Sequence, residues 1–138
     1  MNAQSALPAF GCVLLAAVFL VSGIGKLAAS EAMTGYIESA GLPFPTIALW
    51  LAILFELGGG MLLVFGYRTR WAAVGLAVFT VVATLAFHTN FADQNEMLAF
   101  LKNAAILCGL LQVIAFGAGA YSLDNRRTSL GQASAARA

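Results

Sequence analysis

The run from Phe44 to Tyr67 holds a single charged residue, Glu56, among apolar neighbours. As a helix it spans roughly 36 Å at about 1.5 Å per residue, against about 30 Å for the hydrocarbon core of a bilayer. The segment is long enough to cross a membrane. A carboxyl held near the midplane costs at least ~2.5 kcal/mol, so Glu56 is expected to face a partner, a cavity or another helix rather than lipid. It shares a helical face with Ala52, Gly59 and Gly60, the small residues that let a second helix approach closely.

The rest of the chain has the same character. It is 61% hydrophobic and 9% charged, where soluble domains carry about 25% charge, which places it in the membrane class. A net charge of +1 and the lack of basic runs interleaved with aromatics exclude a nucleic-acid partner. The 138 residues suit one domain of about four spanning helices and leave no room for a soluble catalytic module. Cys12 and Cys108 sit in apolar runs with no CxxC or Cys/His spacing, so they read as packing residues, and no metal site is expected.

Hydropathy and stop signals predict an all-α fold: a four-transmembrane-helix bundle with spans at about 8–28, 44–67, 71–88 and 98–116. No Lys or Arg precedes the first apolar run, so that run is expected to be retained as a span rather than cleaved as a signal. Between the first two spans, Met33, Tyr36, Ile37 and Ala40 recur at helical spacing, with Ser30 as a start signal and Gly41 and Pro43 as stops. That stretch predicts a short amphipathic helix in the membrane interface. Residues 1–127 form the membrane domain, and residues 128–138, polar and rich in small residues, predict a disordered tail.

Polar residues inside the spans are few enough to take one by one. Lys26 ends the SGIGK stretch at the membrane boundary, where its first reading is an ammonium snorkelling into the headgroups. Thr80, Thr84 and His88 form a stripe on the third span; the threonines read mainly as a packed seam bonded to their own backbone. Lys102 and Asn103 lie about a turn inside the fourth span, a depth that suggests contacts across the bundle.

With four spans, both termini and the GYRTR turn at Gly66–Arg70 share one side, with Arg68, Arg70, Arg126, Arg127 and Arg137. The basic excess there predicts cytoplasmic termini. Lys26, His88, Lys102 and Asn103 then gather in the outer half above Glu56. Two readings stay open: a polar ligand pocket opening outward, or an ion pair between Glu56 and a lysine that fixes the register of the bundle.

These residues sit in pieces that resemble the DoxX family of small four-helix membrane proteins: FLVSGIGKL at Phe19–Leu27, AGLPFP at Ala40–Pro45, LFELGGGMLLVFGYRTR at Leu54–Arg70, AFH at Ala86–His88, FLKNAAILCGLL at Phe100–Leu111 and GAGAYSLDNRR at Gly117–Arg127. The resemblance implies a bacterial inner-membrane protein associated with quinone-linked complexes of sulfur or oxidative-stress metabolism. It places Lys26, Glu56, Arg70, His88, Lys102 and Asn103 on the family's polar positions, without a catalytic role for any of them. The chain has no CxxC, haem-ligand pair or nucleotide loop, so at most it supplies a membrane subunit of a quinone-linked oxidoreductase.

The resulting expectation is a quinone- or lipid-associated subunit. Lys102, Lys26 or His88 would donate to a carbonyl oxygen, Glu56 or His88 would exchange protons, and Trp50, Phe55 and Phe87 would wall the site. Partners would be the bilayer, redox-enzyme subunits and further copies of the chain. The alternatives are a non-catalytic scaffold that recruits enzymes and, third, a small-solute or proton transporter, for which no inverted repeat or broken helix speaks.

Overall fold

A computed structural model of the protein describes residues 3–126, 128 and 129. Among them there is no strand, and the helices are α1 (Ala3–Ala28), α2 (Ser30–Ser39), α3 (Pro45–Phe65), α4 (Thr69–Phe87) and α5 (Gln94–Phe116), with residues 123–126, 128 and 129 helical as well. All but α2 are long and apolar enough to cross a membrane. The predicted four-span bundle with a short helix between the first two spans is the observed architecture.

Two boundaries move by more than two residues. The first helix begins at Ala3, so Pro8 lies inside it rather than at its start. The last begins at Gln94 instead of about Leu98, because Asp93 caps it: its carboxylate accepts from the Asn95 N–H at 2.8 Å. A capped polar turn extends a helix past the point where hydropathy alone ends it.

The four long helices form a ring in which α1 packs on α3, α3 on α4, α4 on α5 and α5 back on α1. Helix α3 is gripped from both sides through adjacent glycines. A Cβ at Gly60 would lie 2.9 Å from Leu20 of α1, and one at Gly59 would lie 2.7 Å from Leu76 of α4. Larger residues at either place would have to displace the leucine packed against it.

Gly60 lies against Leu20 and Gly23 against Leu57, so α1 and α3 are antiparallel and staggered. The first turns of α3 project beyond the end of α1. Helix α2 covers that projection, burying Ile37 with Leu49 and Ile53. The other half of the bundle is solidly filled by Cys12, Ala16, Leu63, Leu76, Leu110 and Val113, with Ala72, Ala73 and Ala77 admitting close contact. Cys12 is buried and Cys108 exposed, and both are free thiols.

At the end opposite α2, one carboxylate ties the chain together. Asp124 accepts from the N–H groups of Arg68 (2.7 Å) and Thr69 (2.8 Å) and from the Thr69 hydroxyl (2.7 Å). These are orphan donors at the start of α4, where the helix dipole also favours a negative charge. The Asp124 N–H donates to the Gly66 carbonyl at 3.0 Å. Gly66 has φ 62°, and a Cβ there would lie 2.6 Å from Ser122 Cβ, so a glycine is required on both counts.

In the stretch expected to be a disordered tail, the hydroxyls of Thr128 and Ser129 donate to the carbonyls of Asp124 and Arg126. Arg127 and residues 130–138, including Arg137, lie outside the described residues.

Replacing Asp124 by Ala is expected to destabilise the fold by about 1–2 kcal/mol, the cost of losing a good N-cap. Asp124→Asn should retain part of the effect. Thermal unfolding in detergent micelles measures both, and an unchanged midpoint for the alanine variant would remove the cap from the account.

Candidate functional site

Above the filled half of the bundle the helices part around a cavity of about 810 Å³. Its wall draws on every helix: Val18 and Ser22 from α1, Tyr36 and Ile37 from α2, Ala52 from α3, Ala83 from α4 and Ile106 from α5. Below the opening, Leu15 of α1 closes on Gly109 of α5, where a Cβ would meet it at 3.1 Å. The stagger of α1 against α3 and the small residues of α3 and α4 leave space that no side chain fills.

All five sequence-predicted site residues, Lys26, Glu56, His88, Lys102 and Asn103, line this cavity. They do not form one cluster. Lys26 Nζ lies 2.9 Å from each Glu56 carboxylate oxygen and 2.7 Å from Ser22 Oγ, while the Ser22 hydroxyl donates to Glu56 Oε1 at 3.1 Å. The Glu56 side chain is 6% exposed and that of Lys26 24%. An ammonium has three donors, and here three acceptors take them. The triad is internally complete.

The interfacial snorkelling expected of Lys26 is therefore corrected. Because α3 projects past α1, Lys26 stands within reach of the middle of α3, and a carboxylate solvates its ammonium directly. Ser22 went unremarked as a ligand of the pair. The signal was its position four residues before Lys26, on the same helical face.

The remaining polar residues bond elsewhere. His88 Nδ1 lies 2.8 Å from Glu96 Oε2, linking the end of α4 to the first turn of α5. Asn103 donates through Nδ2 to Thr84 Oγ1 at 2.9 Å, a contact between α4 and α5 of the kind its depth implied. Thr84 and Thr80 donate to the carbonyls of Thr80 and Leu76, the backbone-bonded seam expected from their spacing. Lys102 lines the cavity, and no hydrogen bond or ion pair engages it among the described residues.

Two expected contributors, Trp50 and Phe55, are not part of the cavity, and Arg70 keeps to the other end, beside Gly117, as its place in the GYRTR turn implied. Trp50 and Phe55 are exposed on the outer surface of α3. Of the proposed aromatic walls only Phe87 lines the space, stacked on Tyr36 at 5.3 Å between ring centroids; Phe79 takes the place given to Phe55, which stacks behind it at 6.2 Å. Period alone puts a residue on a face, and neighbouring faces of α3 differ by one residue.

A ring of four apolar helices around a buried ion pair, with a half-filled interior, defines a small polytopic membrane protein rather than a soluble bundle. A protein-family profile described as DoxX matches residues 8–89, and the chain belongs to that family. It is 38% identical over 112 residues to the inner membrane protein YqjF of Escherichia coli K12, covering 81% of this chain and 85% of that one. It is 30% identical over 115 residues to the inner membrane protein YphA of the same organism, covering 79% and 81%. No solved structure matches it.

Removing Glu56 leaves the part-buried Lys26 ammonium without its carboxylate, a loss of about 1–3 kcal/mol. Glu56→Gln should lower the unfolding midpoint in detergent accordingly. The double variant Glu56→Leu/Lys26→Met should recover most of that loss, because it removes both charges together. Equal midpoints for Glu56→Gln and the parent would show that the pair carries no such weight.

Proposed function

We propose that the protein is an inner-membrane subunit that holds a lipid-soluble amphiphile, a quinone or a lipid, in the cavity between its helices and serves a membrane redox assembly. The observation that supports this reading is the cavity itself. Its volume of about 810 Å³ falls in the range of small-molecule sites, its walls are mainly apolar, and charged groups occupy only a few places on them. Val18, Val21 and Val82 line it and are also exposed on the outer surface, so an acyl or isoprenoid chain has lateral access from the bilayer.

The inner membrane is where both relatives are named to reside. The arginine-rich end, with Arg68, Arg70 and Arg126, would face the cytoplasm together with both termini, and the cavity would open toward the other leaflet. Redox-enzyme subunits, or further copies of the chain, would dock on the lipid-facing surface.

A second reading, a scaffold without a ligand, has its own support in the complete Lys26–Glu56–Ser22 triad, which needs nothing from outside. The two readings separate on one measurement. Native mass spectrometry of gently extracted protein should find a bound quinone or lipid, and Ala52→Phe, which fills the cavity one turn from Glu56, should abolish it while leaving the unfolding midpoint close to that of the parent. Parent protein that carries no ligand and takes up none of an added short-chain quinone or lipid would leave the scaffold standing.

A further inference from the structure

The charged groups lining the cavity do not cancel. Lys26 and Glu56 neutralise each other, and all three ammonium donors of Lys26 are taken by Glu56 and Ser22. Nδ1 of His88 is held by Glu96, and the Asn103 amide donates to Thr84. Lys102 is what remains: a cation that lines the cavity, more than two turns inside α5, with no carboxylate on it among the described residues. With the His88–Glu96 pair set aside, the lining has a formal charge of +1, beside walls that are largely apolar.

We propose that Lys102 is the anchor for an oxyanion head group, a carboxylate or a phosphate, of an acyl-chain amphiphile whose tail lies along the cavity. The proposal rests on the reading that an amphiphile occupies this space, and narrows the choice between quinone and lipid to an acidic lipid. An unpaired ammonium gains most from a full negative charge, and a charge-assisted hydrogen bond is roughly twice as strong as a neutral one. A neutral carbonyl head would leave the excess charge of the lining uncompensated. The apolar wall beside Lys102, including Ile106 one turn further along α5, selects an anion that carries a chain over a free one.

The test uses purified protein in detergent with four probes: oleate, oleoyl lysophosphatidylglycerol, oleyl alcohol and inorganic phosphate. Binding is read by native mass spectrometry and by competition. At least one acidic probe is expected to bind ten-fold or more tightly than oleyl alcohol, and which one distinguishes a fatty acid from an acidic phospholipid. Inorganic phosphate should not compete at matched concentration.

Lys102→Ala should erase the preference, and Lys102→Arg should keep it. Lys102 is exposed and without a partner, so the alanine variant should unfold at the parent's midpoint. An acidic preference that survives Lys102→Ala in the folded variant would overturn the assignment, as would inorganic phosphate binding as well as the lipids. Uptake of a short-chain quinone with equal affinity by parent and Lys102→Ala, and with no acidic-lipid preference, would overturn this inference while leaving the proposed amphiphile site intact. Failure of every probe, quinone included, would overturn both.

Discussion

The contact between Lys26 and Glu56 decides how this bundle can be assembled. A carboxylate in the middle of a spanning helix has to be matched, and here it is matched by an ammonium from the neighbouring helix with a hydroxyl completing the set. The ammonium sits two residues before the end of α1, so its contact with the centre of α3 goes together with helices that are out of step. The offset then leaves the first turns of α3 without cover from α1, and α2 supplies it through Ile37. The ion pair and the close contacts at Gly23 and Gly60 share one register, and that register determines where the small amphipathic helix lies and where space is left over.

That leftover space explains the division of the molecule into two halves. Toward the chain termini, alanines and close-packed leucines fill the interior, as a membrane bundle without a hydrophobic driving force between its helices requires. Toward α2, the same helices diverge above the contact of Leu15 with Gly109 and enclose a cavity. Charge at the wall and apolar length along it are a combination that lipid-soluble molecules with polar heads satisfy and that water or hydrocarbon alone does not.

Much of this was legible in the chain. Twenty-residue apolar runs specify spans by length, and Glu56 announced an inward face because lipid cannot solvate a carboxylate. The grouping of Lys26, His88, Lys102 and Asn103 at one end follows from counting spans. Pairing is a different kind of information. Whether Lys26 turns outward to the headgroups or inward to Glu56 depends on the offset of two helices, which the sequence encodes only through glycines such as Gly23 and Gly60 that could serve several partners. Glu96 drew no attention as a partner of His88, because it lay in what hydropathy marked as a connection; the helix that holds it begins with a cap, not with an apolar residue. The misplacement of Trp50 and Phe55 has the same origin, since each face of a nearly all-apolar helix looks equally suited to the interior.

The attachment of Asp124 to the start of α4 bears on the order in which the bundle is completed. The N–H groups of Arg68 and Thr69 are exposed as soon as the α3–α4 hairpin forms, yet the carboxylate that satisfies them belongs to a residue that follows the whole of α5. The cap of α4 is therefore complete only when the last span is in place and the chain has doubled back. Closure at that corner joins the middle of the chain, Gly66–Thr69, to the segment that follows the last span.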